Sequence, residues 1–324
     1  MSASAALSWQ WSRFALGLLY AAPAILVAPA DPRVALALSI GVLPAAAVGL
    51  PARRRSRAVI LLVGVMTALG ILLGSALALV PVLAVVGIAS LSVLLSVLAG
   101  RSLWGQAMLL LVLPMVGIGL SFPLSAANAV LAAIVVLGSG YAWLVSLLWP
   151  ESELTSRPFG TMPRGRPMLV YGCLLGLAAG GAAAIGFIAG LEHVGWATAA
   201  VLLVMRPVRG QLVSRGVGRA VSVLLGALAA AGFALLAPGE TLTGLGIGAA
   251  VASLCAMQRS RWYIAPAFST FLVLTLLLSA SSGSPSERFV ERTVETLLGV
   301  GLALLFGALV PALLGMRRRV RVTA

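Results

Sequence analysis

Long apolar runs alternate with short polar gaps along most of the chain. Twelve runs approach the length of a membrane crossing, at roughly 14–30, 34–51, 58–79, 81–99, 105–122, 126–149, 167–189, 194–209, 218–237, 241–257, 262–280 and 293–315. Backbone groups cannot go unpaired in lipid, so each run predicts a helix. About 20 residues cross the hydrocarbon at 1.5 Å per residue. The run at 194–205 is short by that measure, so its helix either continues through Arg206 or lies against protein rather than lipid. Connections are short, which predicts antiparallel pairs of sequence neighbours. The expected fold class is all-α: a polytopic integral membrane protein with about 12 transmembrane helices in two six-helix repeats. The apolar runs are too long and too continuous for the alternating strands of a membrane barrel.

The longest polar segment, 150–167, carries four prolines and scattered charge, and reads as a linker. It separates an N-terminal six-helix half at 1–149 from a C-terminal six-helix half at 168–324. A second polar gap runs over 281–292. An offset of 162 residues superposes Arg53 on Arg215, Arg57-Ala58 on Arg219-Ala220, Gly64 on Gly226 and Gly70 on Gly232. Six spans per half is an even number, so the two copies would share one orientation about an axis along the membrane normal.

Composition agrees with the pattern. The chain is 61% hydrophobic and 9% charged, with mean hydropathy +1.11, too little polar material to cover a soluble globule. Its net charge of +14 comes from arginine alone, since there is no lysine. Read with the N-terminus inside, 19 of the 22 arginines face the cytoplasm: Arg13, the cluster at 53–57, Arg101, Arg157, Arg164, Arg166, Arg206, Arg209, Arg215, Arg219, Arg259, Arg261 and the tail at 317–321. Arg33, Arg288 and Arg292 fall outside. This is the positive-inside pattern of a multi-pass inner-membrane protein with both termini cytoplasmic. Orientation and anionic headgroups account for the basic charge, so nucleic acid is not an expected partner. Cys173 and Cys255 lie in apolar runs without metal spacing and read as small buried residues. Trp9, Trp11, Trp104, Trp149, Trp262 and Trp196 read as interface anchors. Glycines four residues apart, Gly172, Gly176 and Gly180, and Gly70 with Gly74, mark close helix approach, as do Gly226 and Gly299 in the later motifs.

From residue 191 the chain reads LEHVGWATAAVLLVMRPVRGQLVSRGVGRAVSVLLG. A histidine and tryptophan open a helix, Arg-Pro closes it, and arginines precede a glycine-bearing helix: His193, Trp196, Arg206, Pro207, Arg215, Arg219 and Gly226. A second stretch gives Arg288, Arg292, Glu295, Thr296 and Gly299. These residues resemble the fusaric acid resistance protein-like family, which includes the aromatic acid exporters. Ser222 and Val223 stand where the family usually has Gly-Thr. The resemblance implies proton-coupled or otherwise driven export of organic anions, with aromatic carboxylates foremost. A distant likeness to plant malate channels keeps an anion channel as the alternative, and a non-transporting membrane assembly protein as another.

A guanidinium grips a carboxylate through two parallel hydrogen bonds, so Arg206 and Arg219, with Arg215 and the repeat-related Arg57, are the candidate substrate-binding residues. The competing reading is topology and headgroup contact. His193, Glu295 and Arg292 are the candidate proton-coupling or outer-gate residues; an Arg292–Glu295 pair fixing the helix is the plainer alternative. Asn128 and Gln106 are lesser polar candidates. No catalytic constellation, P-loop lysine or metal-ligating cluster is legible, so the chain reads as no enzyme, with no cofactor and no metal. Expected partners are the lipid bilayer and a small organic anion, with a homo-oligomer or an accessory periplasmic subunit left open.

Overall fold

The computed structural model describes residues 8–151, 162–207, 212–258, 260, 264–280, 285–313 and 315. Arg157, Arg209, Arg259, Arg261, Trp262, the tail at 317–321, residues 281–284 and most of the 150–167 linker lie outside them. The described residues form helices and no strand. In chain order these are α1 (Trp11–Val27), α2 (Pro32–Gly41), α3 (Leu43–Val48), α4 (Ala58–Leu77), α5 (Pro81–Ala99), α6 (Leu103–Ala107), α7 (Leu113–Gly119), α8 (Ala126–Leu147), α9 (Arg166–Ile188), α10 (Val194–Val204), α11 (Leu212–Leu235), α12 (Glu240–Ala256), α13 (Ala265–Ala280), α14 (Pro285–Leu304) and α15 (Val310–Leu313). A 3-10 turn, Arg54–Arg57, leads into α4. π-helical turns, Met108–Val112 and Leu305–Leu309, join α6 to α7 and α14 to α15.

Among the described residues, six helical stretches are long and apolar enough to cross a membrane: Arg54–Leu77, Pro81–Ala99, Ala126–Leu147, Arg166–Ile188, Leu212–Leu235 and Arg288–Leu313. Six more apolar helices are shorter, at 10–17 residues. Four expected spans differ in detail. The run at 34–51 breaks at Val42, because Pro44 has no N–H for a continuous ladder. The run at 105–122 passes through a π-helical turn ahead of Pro114. α10 does not continue through Arg206: it stops at Val204, with Met205 extended at φ −69°, ψ 118°. Ten of its eleven residues are buried, so it lies against protein. The last helix begins at Pro285 rather than 293. There the sequence was read as a polar gap, but it is a polar helical turn, opened by proline and braced by Arg288 donating to Glu291 at 3.1 Å.

The chain divides into two compact units, each assembled from three chain segments. Unit 1 comprises residues 1–69, 126–157 and 221–293; unit 2 comprises 70–125, 158–220 and 294–324. In unit 1, α1 packs along α12, and α2 packs on α8 and α13. Small residues permit the first of these contacts. A Cβ on Gly17 would stand 2.6 Å from the Ala252 Cα, and one on Gly244 would stand 2.9 Å from the Ala28 Cβ. The core here includes Leu16, Tyr20, Leu36, Ile60, Ile247 and Leu272. Gly49, at φ +76°, ends α3 in the left-handed region, and its N–H returns to the Ala45 carbonyl at 3.0 Å.

In unit 2, α5 packs along α9, and α10 packs on α9 and α7. A Cβ on Gly172 would lie 2.8 Å from the Ser96 Cβ, and one on Gly176 would lie 2.8 Å from the Ala89 carbonyl oxygen. A Cβ on Gly180 would meet the Val85 oxygen at 3.3 Å. The α5 serines at this seam donate to their own helix, Ser92 to Ile88 O at 2.7 Å and Ser96 to Ser92 O at 2.6 Å. Neither of these two hydroxyls is therefore left bare where the backbones approach. Gly70 and Gly74 sit against the α6–α7 stretch; a Cβ on Gly74 would overlap Gly119 and the Val116 oxygen. The 162-residue offset superposes Pro32 on Val194, the first residues of α2 and α10, and Leu103 on Ala265, the first of α6 and α13.

Candidate functional site

The cations at the ends of helices fall into two kinds. In unit 1, Arg57 is satisfied by main chain. Arg57 is fully buried, at 0% exposure. Its Nε donates to Pro51 O at 3.2 Å, its Nη1 to Ser146 O and to Trp149 O at 2.9 Å, and its Nη2 to Pro150 O at 2.9 Å. Three of the four acceptors, those of Ser146, Trp149 and Pro150, lie at and beyond the C-terminal end of α8, where helix carbonyls lack intrahelical donors and the dipole favours a cation. Arg13 Nη2 reaches Leu50 O at 3.4 Å, and Gln258 Nε2 donates to Ala46 O at 3.0 Å. The backbone N–H of Arg54 donates to Glu151 Oε1 at 2.7 Å. Arg57 is thus a clamp on the end of α8 in this structure.

In unit 2 the end of α10 is built differently. Met205 is extended and Pro207 cannot prolong a helix, so the chain leaves α10 abruptly and carries Arg206 with it. The Met205 carbonyl accepts a hydrogen bond from the Tyr171 hydroxyl of α9 at 2.9 Å. The Arg206 Nη2 points to Leu110 O at 3.4 Å. That carbonyl is available because its ordinary partner in an α-helix would be the N–H of residue 114, which is proline. The Arg206 Nε is buried and has no hydrogen-bond partner among the described residues. One turn before Leu110, the Gln106 Oε1 is likewise buried without a partner among them. Arg215 and Tyr171 act electrostatically on Arg206. On the other side, a Cβ on Gly307, in the second π-helical turn, would lie 3.6 Å from the Met205 Cε. Two π-helical turns thus each contribute a residue near the α10 terminus, Leu110 and Gly307, and π-bulges recur at functional sites.

Arg206 and Arg215 are thus brought together, and Arg219, one turn further along α11, is buried at 6% exposure. Arg57 belongs to the other unit. His193, at the opposite end of α10, is 6% exposed and stacks on Trp196, ring centroids 4.2 Å apart and planes 12° from parallel. Trp196 itself is 4% exposed, so it packs against protein rather than serving as an interface anchor; Trp11 and Trp104, at 73% and 64%, are open. Glu295 is fully buried on α14, one turn before Gly299. A Cβ on Gly299 would overlap the Ala197 carbonyl and lie 2.6 Å from the Ala200 Cβ, so this face of α14 runs against α10. Arg292 is half-buried and belongs to unit 1. Gly226 packs on Ala267 in unit 1.

Tyr171 and the Leu110 carbonyl were not singled out from sequence. A tyrosine on an apolar helix carries a polar tip that needs a partner, and a proline inside an apolar run bares the carbonyl four residues earlier; those two signals point to them.

No curated protein and no solved structure matches the chain. Its long apolar helices are those of a multi-pass membrane protein. Residues 177–306, which carry Arg206, Arg215 and Arg219 but not Tyr171 or Leu110, match the family model described as fusaric acid resistance protein-like.

Proposed function

We propose that the chain exports organic anions across the inner membrane, with aromatic carboxylates foremost and a proton gradient as the driving force. The anion is held at the end of α10 by Arg206, with Arg215 and Arg219 behind it. The observation that carries this reading is the state of Arg206. Its Nε–H is buried without a partner among the described residues, and the 3.4 Å contact of its Nη2 with Leu110 O is long for an N–H···O hydrogen bond. A carboxylate can take two parallel N–H donors from one guanidinium, and two are available there: Nε–H and an Nη–H. The matched family model, described as fusaric acid resistance protein-like, names an organic acid, in keeping with that chemistry.

The wider arrangement we propose is twelve spans in two six-span halves, 1–149 and 168–324, joined by a cytoplasmic linker with both termini inside. The arginine distribution supports the sidedness. The corresponding pairings support the two halves: α1 with α12 in one unit and α9 with α5 in the other, α2 with α13 and α10 with α7. Glu295 and His193 are the candidates for proton exchange.

The test is flux in liposomes of purified protein, loaded with benzoate and related acids and given a proton gradient. Gradient-driven, saturable flux is expected, and Arg206→Lys should reduce flux at limiting substrate by at least about tenfold, because an ammonium cannot supply the paired donors. Large currents without gradient coupling would indicate a channel. Neither flux nor current across a broad panel of acids, from folded protein, would indicate an assembly role and refute transport.

A further inference from the structure

Resting on that reading of Arg206, we propose that Tyr171 is a positioning residue for the anion seat, acting through the Met205 carbonyl. The peptide group is planar, so fixing the oxygen of Met205 also fixes the nitrogen and Cα of Arg206. The Tyr171 hydroxyl fixes that oxygen, at 2.9 Å. It thereby sets the direction in which the Arg206 side chain leaves the backbone.

The need for such a fixture follows from the way α10 ends. Met205 is 2% exposed and extended, so its carbonyl has left the helical ladder at a place without bulk water. The next three residues include Pro207, which offers no N–H. A non-helical carbonyl at such depth needs a partner from elsewhere. Tyr171 is held for the task by α9, whose seam with α5 is closed by Gly172 and Gly176. The ring lies against the apolar core that also takes in Met168, Leu175 and Met205. Packing alone would be served by phenylalanine; the hydroxyl is what reaches the end of α10. The guanidinium is then held over Leu110 O, with Nε left over for a ligand.

Tyr171→Phe removes only the hydroxyl. In reconstituted protein, with benzoate as the probe, the half-saturation concentration should rise roughly three- to tenfold. Maximal flux and membrane yield should stay near wild type. Because Tyr171 acts through Arg206, the same change in an Arg206→Lys background should shift affinity by less than about twofold. Affinity in that background is read from the benzoate dependence of the heat-unfolding midpoint. An unchanged half-saturation in Tyr171→Phe would overturn the proposal. So would the full shift persisting in the Arg206→Lys background, or a loss of membrane yield that marks the hydroxyl as structural only. If wild-type protein neither binds nor carries benzoate or any other aromatic carboxylate, the anion seat falls and this proposal with it. If wild-type transport is saturable and Tyr171→Phe is silent, only the positioning role falls.

Discussion

Replacing Arg57 by lysine separates a structural arginine from a ligand-binding one. Arg57 uses all three of its nitrogens on four carbonyls, of Pro51, Ser146, Trp149 and Pro150. A lysine places three N–H bonds on one tetrahedral atom and can reach about two of those oxygens. A hydrogen bond to a charged donor contributes roughly 1.5–3 kcal/mol. Losing two would therefore cost up to about 6 kcal/mol if both orphaned carbonyls stayed dry. Pro150 is exposed, so water can take over one of them. The expected loss is thus about 2–4 kcal/mol, with α8 loosened at its C-terminal end. The assay is the heat-unfolding midpoint in lipid nanodiscs together with initial flux against benzoate concentration, per folded molecule. A lowered midpoint with wild-type half-saturation is expected. Wild-type stability would refute the clamp. A raised half-saturation at wild-type stability would show that Arg57 meets the anion after all.

Two further outcomes follow from other parts of the chain. Pro114→Ala returns an N–H to the Leu110 carbonyl, so the π-helical turn Met108–Val112 should revert toward α-helical register, read as slower amide hydrogen exchange over residues 108–116; unchanged exchange would show that proline does not impose the turn. Single cysteines at Ser152 and Ser284, in a background without Cys173 and Cys255, should label from the inside and the outside respectively; the reverse pattern would overturn the proposed sidedness.

Helix positions were legible because apolar length is a strong signal and lipid leaves the backbone few choices. Helix continuity was not. Val42, Met205 and the turn at 108–112 are breaks inside apolar runs, each beside a proline, and mean hydropathy averages over them. The end of α14 failed in the other direction: residues 285–292 are polar, which reads as loop, yet they continue an amphipathic helix. The arginines were legible as a group, because they collect in the polar gaps between apolar runs. What each one touches was not. The repeated motif puts Arg57 and Arg219 on equal terms, whereas Arg57's acceptors come from residues 51 and 146–150, a contact between distant segments that no local spacing encodes.

That difference between equivalent-looking arginines bears on function. Taking a guanidinium out of water costs several kcal/mol, and the cost is offset only when its donors are paired. Around Arg57 the protein supplies four acceptors and the side chain is shut away completely. At Arg206 the described residues supply one acceptor at 3.4 Å, a carbonyl bared by Pro114, and leave Nε buried without a partner among them. The same fold thus shows that it can satisfy a buried arginine, and at the end of α10 it stops short. Evolution toward stability alone would favour filling that gap or replacing the side chain with an apolar one. A ligand that brings its own negative charge removes the penalty each time it binds and restores it when it leaves. Such a seat is costly when empty and favourable when occupied, which is what a carrier needs if the anion is to be drawn in and then released.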